Sequence, residues 1–177
     1  MTEAEPGYAD GWLNVARALI QEGETDAAKP YIAKALAVNS SLGRIWFFKA
    51  MIQKADGDYD GAIASLRRVQ QQYPRDRVVL NQLGRILFLK REYAEAVKAL
   101  QGALSVDPED VQAHYNLMLA YRGLGDIPSA EREQKLFERF KADESAQAVT
   151  SKPRMLRPEA NNERQPIHDH ESCLQPQ

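Results

Sequence analysis

The sequence predicts an all-α solenoid of four helix-turn-helix repeats, followed by an extended C-terminal helix and an irregular tail. Three observations predict this fold. The chain matches itself at a spacing of 34 residues, each half-repeat is amphipathic with helical spacing, and short turns separate the halves. The predicted boundaries are a leader at 1–8, a repeat array at 9–149 and an irregular tail at 150–177.

The 34-residue period is visible in columns of equivalent positions. Alanine recurs in one column, at Ala28, Ala62, Ala96 and Ala130. Bulky residues recur in another, at Trp12, Trp46 and Leu80, with His114 as a weaker fourth member. A third column holds Ile32, Leu66 and Leu100, and then Gln134. Four units without insertions follow, at 9–42, 43–76, 77–110 and 111–144.

Each unit is predicted to contain two helices joined by a short turn. Segments 77–90 and 93–106 carry apolar residues at spacings of three and four, the pattern of amphipathic helices. Gly23, Gly57 and Gly125 share the turn column, which Arg91 interrupts. Glycine suits the left-handed conformation that ends a helix, so these turns are predicted to close the first helix of each unit.

Helix ends and helix crossings have predictable residues as well. Asp58 and Asp126 can accept hydrogen bonds from free N–H groups at the start of the next helix. Pro74 and Pro108 are predicted to end second helices, because proline cannot continue one. The alanine column is predicted at close helix crossings, where only a small side chain fits, and the bulky column fills the wider gaps.

At this level of detail the third unit resembles a tetratricopeptide repeat. The residues at that family's signature positions are Leu80, Leu83, Gly84, Leu87, Tyr93, Ala96, Leu100, Ala103 and Pro108. The resemblance extends over all four units and implies antiparallel helix pairs stacked into a right-handed superhelix. It also implies that the first helices line a concave groove. Lys49, His114 and Met118 depart from the family pattern.

The resemblance implies a function, the binding of a peptide segment of another protein in that groove. In the family, ligands contact the second, fifth, sixth, ninth and twelfth positions of the first helices. Here the candidate groove residues are Asn14, Arg17, Arg44, Phe47, Phe48, Met51, Asn81, Gln82, Arg85, Phe88, Tyr115, Asn116 and Arg122.

Three consecutive aromatic residues, Trp46, Phe47 and Phe48, leave their helix about 100° apart, so one core face cannot absorb all of them. Trp46 is expected in the core. Phe47 and Phe48 either pack against neighbouring units or form an apolar anchor in the groove.

Polar groove candidates carry two further alternatives. Asn81 and Asn116 either pair with the backbone of an extended peptide or form a solvated polar face. One arginine per unit (Arg17, Arg44, Arg85 and Arg122) favours an acidic or C-terminal peptide, although surface arginines are also common without a ligand. Leu13 and Phe48 occupy positions where the family's two-carboxylate clamp needs polar groups, which argues against a chaperone-tail ligand.

Other function classes find little support in the residues. There is no phosphate-binding loop in a strand–turn–helix context and no nucleophile elbow, so no enzyme and no cofactor are predicted. The net charge of −2 and the absence of a basic aromatic patch argue against nucleic acid. No apolar stretch is long enough for a membrane span.

The C-terminal region is expected to begin with an extended helix that covers the end of the stack. That helix is predicted to reach Ala148 and to stop at Pro153, with Met155 and Leu156 docking on the array. His168, His170 and Cys173 have a metal-ligand character, but without a fourth ligand nearby they are interpreted as irregular polar sequence, and no metal site is predicted.

The N-terminal twelve residues have neither a basic start nor an apolar run, so a cytoplasmic location is expected for the chain as it stands. The abrupt start of the array at Ala9 and a C-terminal stretch similar to those of long bacterial repeat proteins motivate an alternative. In it, the chain is the C-terminal, partner-binding arm of a larger exported bacterial protein such as a multihaem cytochrome, and is periplasmic. A third hypothesis is self-regulation, with the tail folding back into the groove.

Overall fold

The computed structural model of the chain describes the backbone of residues 8–156 and the side chains of residues 8–143. Within those residues the chain is entirely α-helical, which confirms the predicted fold class. The helices are α1 (Ala9–Gln21), α2 (Thr25–Val38), α3 (Gly43–Ala55), α4 (Tyr59–Gln72), α5 (Arg77–Leu89), α6 (Tyr93–Val106), α7 (Val111–Leu124) and α8 (Ile127–Leu156).

The helices pack in the order of the repeat units. Within residues 8–140, α1 packs on α2, α3 on α4 and α5 on α6, and each second helix packs on the first helix of the next unit. Neighbouring first helices also contact one another, α1 with α3 and α5 with α7, whereas α3 and α5 approach less closely. We call the solvent-facing surface of α1, α3, α5 and α7 the groove.

Small residues mark the closest crossings inside this array. All four alanines of the alanine column are buried, which confirms the steric explanation for their recurrence. Gly84 marks a close approach of α5 and α6, because a Cβ added there would lie 2.4 Å from Cγ of Leu100 in α6. Leu100 is itself fully buried. Burying a leucine side chain contributes about 1.5–3 kcal/mol, so this contact between α5 and α6 is a central part of the core.

The predicted turn residues adopt the expected conformations. Gly23, Gly57 and Gly125 have φ angles of 85°, 79° and 77°, in the left-handed region. Arg91 occupies the equivalent turn of the third unit with φ of 65°, a conformation that costs a non-glycine residue free energy. The interrupted glycine column therefore reflects a substitution at a turn whose shape is kept.

The predicted caps and stops are also present. The carboxylate of Asp58 accepts a hydrogen bond from the backbone N–H of Gly61 at 2.9 Å, and that of Asp126 from Ser129 at 3.1 Å. Helices α4 and α6 end two residues before Pro74 and Pro108 respectively. These local sequence signals set the helix boundaries as predicted.

The prediction that Trp46 fills the core is wrong in detail. Ile45 is the fully buried residue of that turn, while Trp46 is half-buried. The indole Nε1 donates to the carbonyl of Ser40 at 2.8 Å, and the guanidinium of Arg68 lies 4.1 Å from the ring centroid. The indole therefore lies at the edge of the core because its N–H has a backbone acceptor there.

His114, the weak member of the bulky column, is buried but polar in its contacts. Its Nδ1 lies 2.7 Å from a carboxylate oxygen of Glu133, and its Nε2 lies 2.9 Å from the carbonyl oxygen of Pro108. Its ring stacks on Phe140 at 5.3 Å between centroids. A polar partner thus lies within hydrogen-bond distance of each ring nitrogen, and the imidazole fills a position that is apolar in the other units.

Helix α8 extends further than predicted. It runs to Leu156, so Pro153 lies inside the helix and does not end it. Proline's fixed φ of about −65° is compatible with a helix, and only its missing N–H and ring crowding oppose continuation. Pro30 is likewise inside α2. The side chains of Met155 and Leu156, the leader at 1–7 and the segment 157–177 lie outside the described residues.

None of the helices described here has the length and apolarity needed to cross a membrane.

Candidate functional site

The groove candidates separate into three groups by their exposure. Four candidates are exposed: Asn14 and Arg17 on α1, Arg44 on α3 and Arg122 on α7. A second group is half-buried and consists of Phe47, Phe48, Met51, Gln82, Arg85, Phe88 and Tyr115. Only the two asparagines, Asn81 and Asn116, are buried.

The aromatic groove residues each have one side on a core and one side toward solvent. Phe47 packs against the core shared by the second, third and fourth units, whereas Phe48 packs against the core of the first and second units. Their rings meet edge to face at 5.5 Å. The packing hypothesis for this pair is therefore correct, and because both rings stay partly exposed, the anchor hypothesis remains a prediction.

Aromatic residues continue along the next two first helices. Phe88 packs against the same core as Phe47, and its ring centroid lies 5.6 Å from that of Tyr93. Tyr115 in α7 lies 5.2 Å from the ring of Phe137 in α8. Half-exposed aromatic side chains thus occur on α3, α5 and α7. Phe47 and Tyr115 are at equivalent positions of the repeat, and Phe88 lies two helical turns, about 10 Å, further along its helix.

The two asparagines are not a solvated polar face, because Asn81 and Asn116 are only 7% and 3% exposed. The amide nitrogen of Asn81 donates to Asp110 at 2.8 Å, and the amide oxygen of Asn116 accepts from Gln112 at 3.3 Å. One amide atom of each is without a partner among the described residues, Oδ1 of Asn81 and Nδ2 of Asn116.

Asp110 explains why Asn81 is buried. The Asp110 carboxylate is 2% exposed and caps α7 by accepting from the backbone N–H of Ala113 at 2.7 Å. It also accepts from Arg77 at 2.5 Å and from Asn81. Asn81 therefore links the third unit to the start of the fourth, and a contact with a peptide would require its side chain to turn.

The four groove arginines have different partners. Arg44 forms an ion pair with Asp10 of α1 at 2.7 Å, and Arg122 donates to Gln134 of α8 at 2.8 Å. Arg17 and Arg85 have no carboxylate within ion-pair distance among the side chains that the structure describes. Only Arg44 is therefore paired with a carboxylate, and the other three arginines have none within ion-pair distance among the described side chains.

One cation of the groove was missed at the sequence level. Lys54, near the end of α3, donates from Nζ to Oε1 of Gln82 in α5 at 3.3 Å. Burial and the adjacent Arg85 guanidinium, in that order, lower the pKa of Lys54 below its usual value. The signal was available, because Lys54 is equivalent by the 34-residue period to Phe88 and Arg122, both of which were predicted.

A separate cavity of about 450 Å³ lies on the other side of the array, between α4 and α6. Leu80, Leu83 and Leu87 of α5 contribute its apolar lining, and Arg67, Arg75 and Lys98 its cations. This cavity involves second helices and contains none of the predicted groove residues. It provides a second surface against which a groove experiment can be compared.

Within the described part of the chain, no cluster of three or more histidine, cysteine, aspartate or glutamate side chains is arranged to hold a metal ion. The sequence segment that motivated a metal interpretation, with His168, His170 and Cys173, lies beyond the described residues.

Two family models match the chain. The model described as tetratricopeptide repeat matches residues 4–77, and a model described as TPR repeat matches residues 84–125. Together they cover parts of all four units. A curated human protein, protein O-mannosyl-transferase TMTC3, is 26% identical over 129 residues, which is 72% of this chain. The chain spans only 14% of the length of that relative.

Solved structures have the same architecture. A MamA fragment from residue 41 to the end, from Desulfovibrio magneticus RS-1, superposes with a TM-score of 0.69 at 17% identity, covering 88% of this chain and 97% of that fragment. PilF of Pseudomonas aeruginosa superposes with a TM-score of 0.68 at 22% identity, covering 79% of this chain and 63% of PilF. At these identities the likeness establishes the fold alone.

Proposed function

Because the chain belongs to the tetratricopeptide repeat family, whose members act as protein–protein interaction scaffolds, we propose that it binds an extended peptide segment of a partner protein in the groove. The observation that carries the proposal is the row of half-exposed aromatic side chains on α3, α5 and α7. Phe47, Phe88 and Tyr115 each keep one face toward solvent while the other packs on the core or on α8. Such rings are rigid, preorganised anchors for apolar side chains of a ligand.

The spacing of the first helices suggests the length of the ligand. Packed helices lie about 8–10 Å apart, and α3 and α5 approach less closely than the other first helices do, so the distance from α3 to α7 is at least about 20 Å. An extended chain advances about 3.3 Å per residue, so a segment of roughly six residues would cross all three helices. Alternate side chains of such a segment could contact the aromatic rings, while the intervening ones face the cations of the groove.

Catalysis is not part of this proposal, since tetratricopeptide proteins are in general non-catalytic scaffolds. Binding of a partner segment needs shape, apolar contact and charge, all of which the groove offers. The groove also offers few carboxylates: Asp10, the one that touches a groove arginine, is already paired with Arg44. An acidic or C-terminal segment is therefore the preferred ligand.

The experiment is selection of binding peptides from a random display library on the folded protein, followed by affinity measurement on variants. We expect Tyr115→Ala and Phe88→Leu each to weaken the selected peptide by about tenfold, because each removes part of an anchor. Tyr73→Ala is the matched control, because Tyr73 is an exposed tyrosine at the end of α4, outside the groove. Amide chemical shift changes should concentrate on the first helices.

Two results would contradict the proposal. Selected peptides that perturb the α4–α6 cavity would move the binding surface to the second helices. Equal effects of Tyr115→Ala and Tyr73→Ala would show that the aromatic row does not anchor the ligand.

A second candidate is that the array is the partner-binding arm of a larger exported bacterial protein. The matched region is only 14% of the human relative, which supports the idea that such an array can be part of a much longer protein. Reading the coding DNA upstream of Met1 tests this. An in-frame extension with a signal sequence and haem-attachment motifs supports the exported protein and a periplasmic location, whereas a stop codon supports a free-standing cytoplasmic adaptor.

A further inference from the structure

The bulky column shows how the array fills the space beside its second helices. In the second unit the indole of Trp46 donates from Nε1 to the carbonyl of Ser40, just after α2, at 2.8 Å. The guanidinium of Arg68 in α4 lies 4.1 Å from the ring centroid, and the ammonium of Lys49 lies 4.8 Å from it. An aromatic ring with a backbone acceptor at its N–H and cations over its face therefore fills this space.

The first and fourth units fill the equivalent space in a related way. The ammonium of Lys34 in α2 lies 4.4 Å from the ring centroid of Trp12. In the fourth unit, Nε2 of His114 lies 2.9 Å from the carbonyl oxygen of Pro108, and the imidazole stacks on Phe140 of α8. In all three units a ring thus occupies this position, and a side chain of the second helix covers it.

The third unit differs at each of these positions. By the 34-residue period, Leu80 replaces the ring, Gly102 replaces Arg68 and Leu83 replaces Lys49. These three residues line the cavity of about 450 Å³ between α4 and α6. Because a leucine is smaller than a tryptophan and a glycine has no side chain, the third unit leaves open a space that the other units fill.

The carbonyl of Pro74 is the acceptor that the third unit does not use. Pro74 is equivalent to Ser40 and Pro108, whose carbonyls face ring nitrogens, and it also lines the cavity. Leu80 has no donor, and no other donor among the described residues lies within hydrogen-bond distance of the Pro74 carbonyl oxygen. A free backbone acceptor beside an apolar wall matches an aromatic ring that carries an N–H.

The rim of the cavity carries positive charge. Arg67 of α4, Arg75 of the turn that follows and Lys98 of α6 line it, and Lys98 is paired with Glu95 at 2.7 Å. Cations bind the electron-rich face of an indole, as Arg68 does in the second unit. The rim therefore supplies cations for a ring that enters the cavity, although the positions of Arg68 and Lys49 are apolar in this unit.

We propose that the cavity between α4 and α6 binds a tryptophan side chain of a partner protein. The indole would lie as Trp46 does in the second unit. Its rings would pack on the leucines of α5 that line the cavity, and its N–H would donate to the Pro74 carbonyl. The cavity volume is within the range of about 300–1,000 Å³ that small-ligand sites have. The site goes beyond the proposed function, because it lies on the second helices and contains no groove residue.

Three small probes test the chemistry of the site. N-acetyl-tryptophanamide carries the indole, its N-methylindole analogue has the same rings without the N–H donor, and N-acetyl-leucinamide is aliphatic. Each probe is titrated into the isotope-labelled protein. The readouts are the backbone amide resonances of α4, α5 and α6 and the carbonyl carbon resonance of Pro74.

We expect the tryptophan probe to shift the resonances of the cavity residues and of the Pro74 carbonyl carbon. The methylated probe should bind about tenfold more weakly, because the Pro74 carbonyl then stays without a donor. The leucine probe should bind more weakly still, because it has neither the rings nor the N–H. Equal affinity of the tryptophan probe and either other probe would overturn the proposal. So would unchanged cavity resonances up to the solubility limit of the tryptophan probe.

Two substitutions fill the cavity from opposite walls. Gly102→Leu gives α6 the residue that the fourth unit has at the equivalent position, and Leu80→Trp gives α5 the residue of the second unit. Each should abolish the shifts caused by the tryptophan probe without changing the circular dichroism of the protein. Ala94→Leu is the matched control, because it adds a leucine at an exposed position of α6 that does not line the cavity. Probe binding that survives in both filled variants would overturn the site.

The Leu80→Trp variant also tests the site without a probe. The chain has two tryptophans, so the variant adds a third indole N–H resonance. We expect that proton to exchange slowly with solvent and the Pro74 carbonyl carbon to shift, because the new indole N–H meets the free acceptor. Rapid exchange of a folded variant would show that the cavity does not hold an indole in this way.

The cavity and the groove can be tested separately. Display selection on the Gly102→Leu variant, whose cavity is filled, reports on the groove alone. Tryptophan-containing peptides that the wild-type protein selects and this variant does not would support the cavity site. If the probes fail while groove substitutions still weaken selected peptides, only the cavity site is wrong. If the probes bind and no peptide depends on the groove, only the proposed function is wrong.

Discussion

The third and fourth units have the same backbone arrangement but different interiors. In the third unit, Gly84 of α5 lies directly against the fully buried Leu100 of α6. The equivalent positions of the fourth unit hold Met118, which is buried, and Gln134, which is half-buried and bonded to Arg122. A large residue has replaced the small one, and a polar residue has replaced the large one. The space between the two helices is thus filled in both units, although the residues at the two positions differ.

The column of bulky residues also differs between the third and fourth units, in the polarity of its contacts. Leu80 is buried among apolar neighbours, including Ala103 and Ala113. His114 takes the same position in the fourth unit and hydrogen-bonds to Glu133 and to a backbone carbonyl. The fourth unit therefore uses hydrogen bonds where the third uses apolar contact. The free energy of the apolar core should accordingly be concentrated in the third unit.

The largest expected effect tests that concentration directly. Leu100→Ala should lower the free energy of unfolding by about 2–5 kcal/mol, because it leaves a cavity at a fully buried position. Gln134→Ala, at the equivalent position of the fourth unit, should change it by less than about 0.5 kcal/mol, because the side chain is partly solvated. Urea denaturation followed by circular dichroism measures both. Similar losses would show that the two interiors contribute equally.

The next largest effect is expected at two glycines, and it tests how closely α5 and α6 cross. Gly84→Ala should cost about 1–3 kcal/mol, because the new Cβ would lie 2.4 Å from Leu100. Gly102→Ala in α6 is the matched control, since its Cβ would meet Leu80 at an ordinary 3.5 Å. It should stabilise the protein by up to about 1 kcal/mol through helix propensity. Stabilisation by both substitutions would disprove the close crossing of α5 and α6.

The smallest effect concerns the turns. Arg91→Gly should raise the free energy of unfolding by about 0.5–1 kcal/mol, because it relieves a left-handed conformation at the turn of the third unit. Gly125→Ala makes the opposite change at the same turn of the fourth unit and should lower it by about 1 kcal/mol. Thermal melts compare the two. Destabilisation by Arg91→Gly would mean that the arginine side chain has a stabilising contact.

Local signals in the sequence were sufficient for the helices and their ends. Glycines at positive φ, aspartate caps and prolines after helix ends act over a few residues, so a reader of the sequence sees each cause and its effect together. Pro153 is the exception, because a proline ends a helix only when the loss of one hydrogen bond and the ring's steric demand exceed what continuation gains. The helix to Leu156 shows that here they do not.

The candidate site was predictable as a surface and not as a set of contacts. The period placed Phe47, Phe88 and Tyr115 on first helices, and the structure keeps them half-exposed there. The period could not show that Asn81 would bind Asp110, because Asp110 caps the first helix of the next unit and reaches Asn81 only through the packing of α5 on α7. Lys54, by contrast, could have been predicted, because the period makes it equivalent to Phe88 and Arg122.

The sequence by itself determined the family and the succession of helix pairs, because a 34-residue period repeats the same local causes. Only the tertiary structure decided which side chains the groove exposes. Ile45 and not Trp46 is fully buried, and the side chains of Asn81 and Asn116 are buried as well. Burial and charge pairing depend on distances between helices of different units, and periodicity within one chain carries no information about those distances.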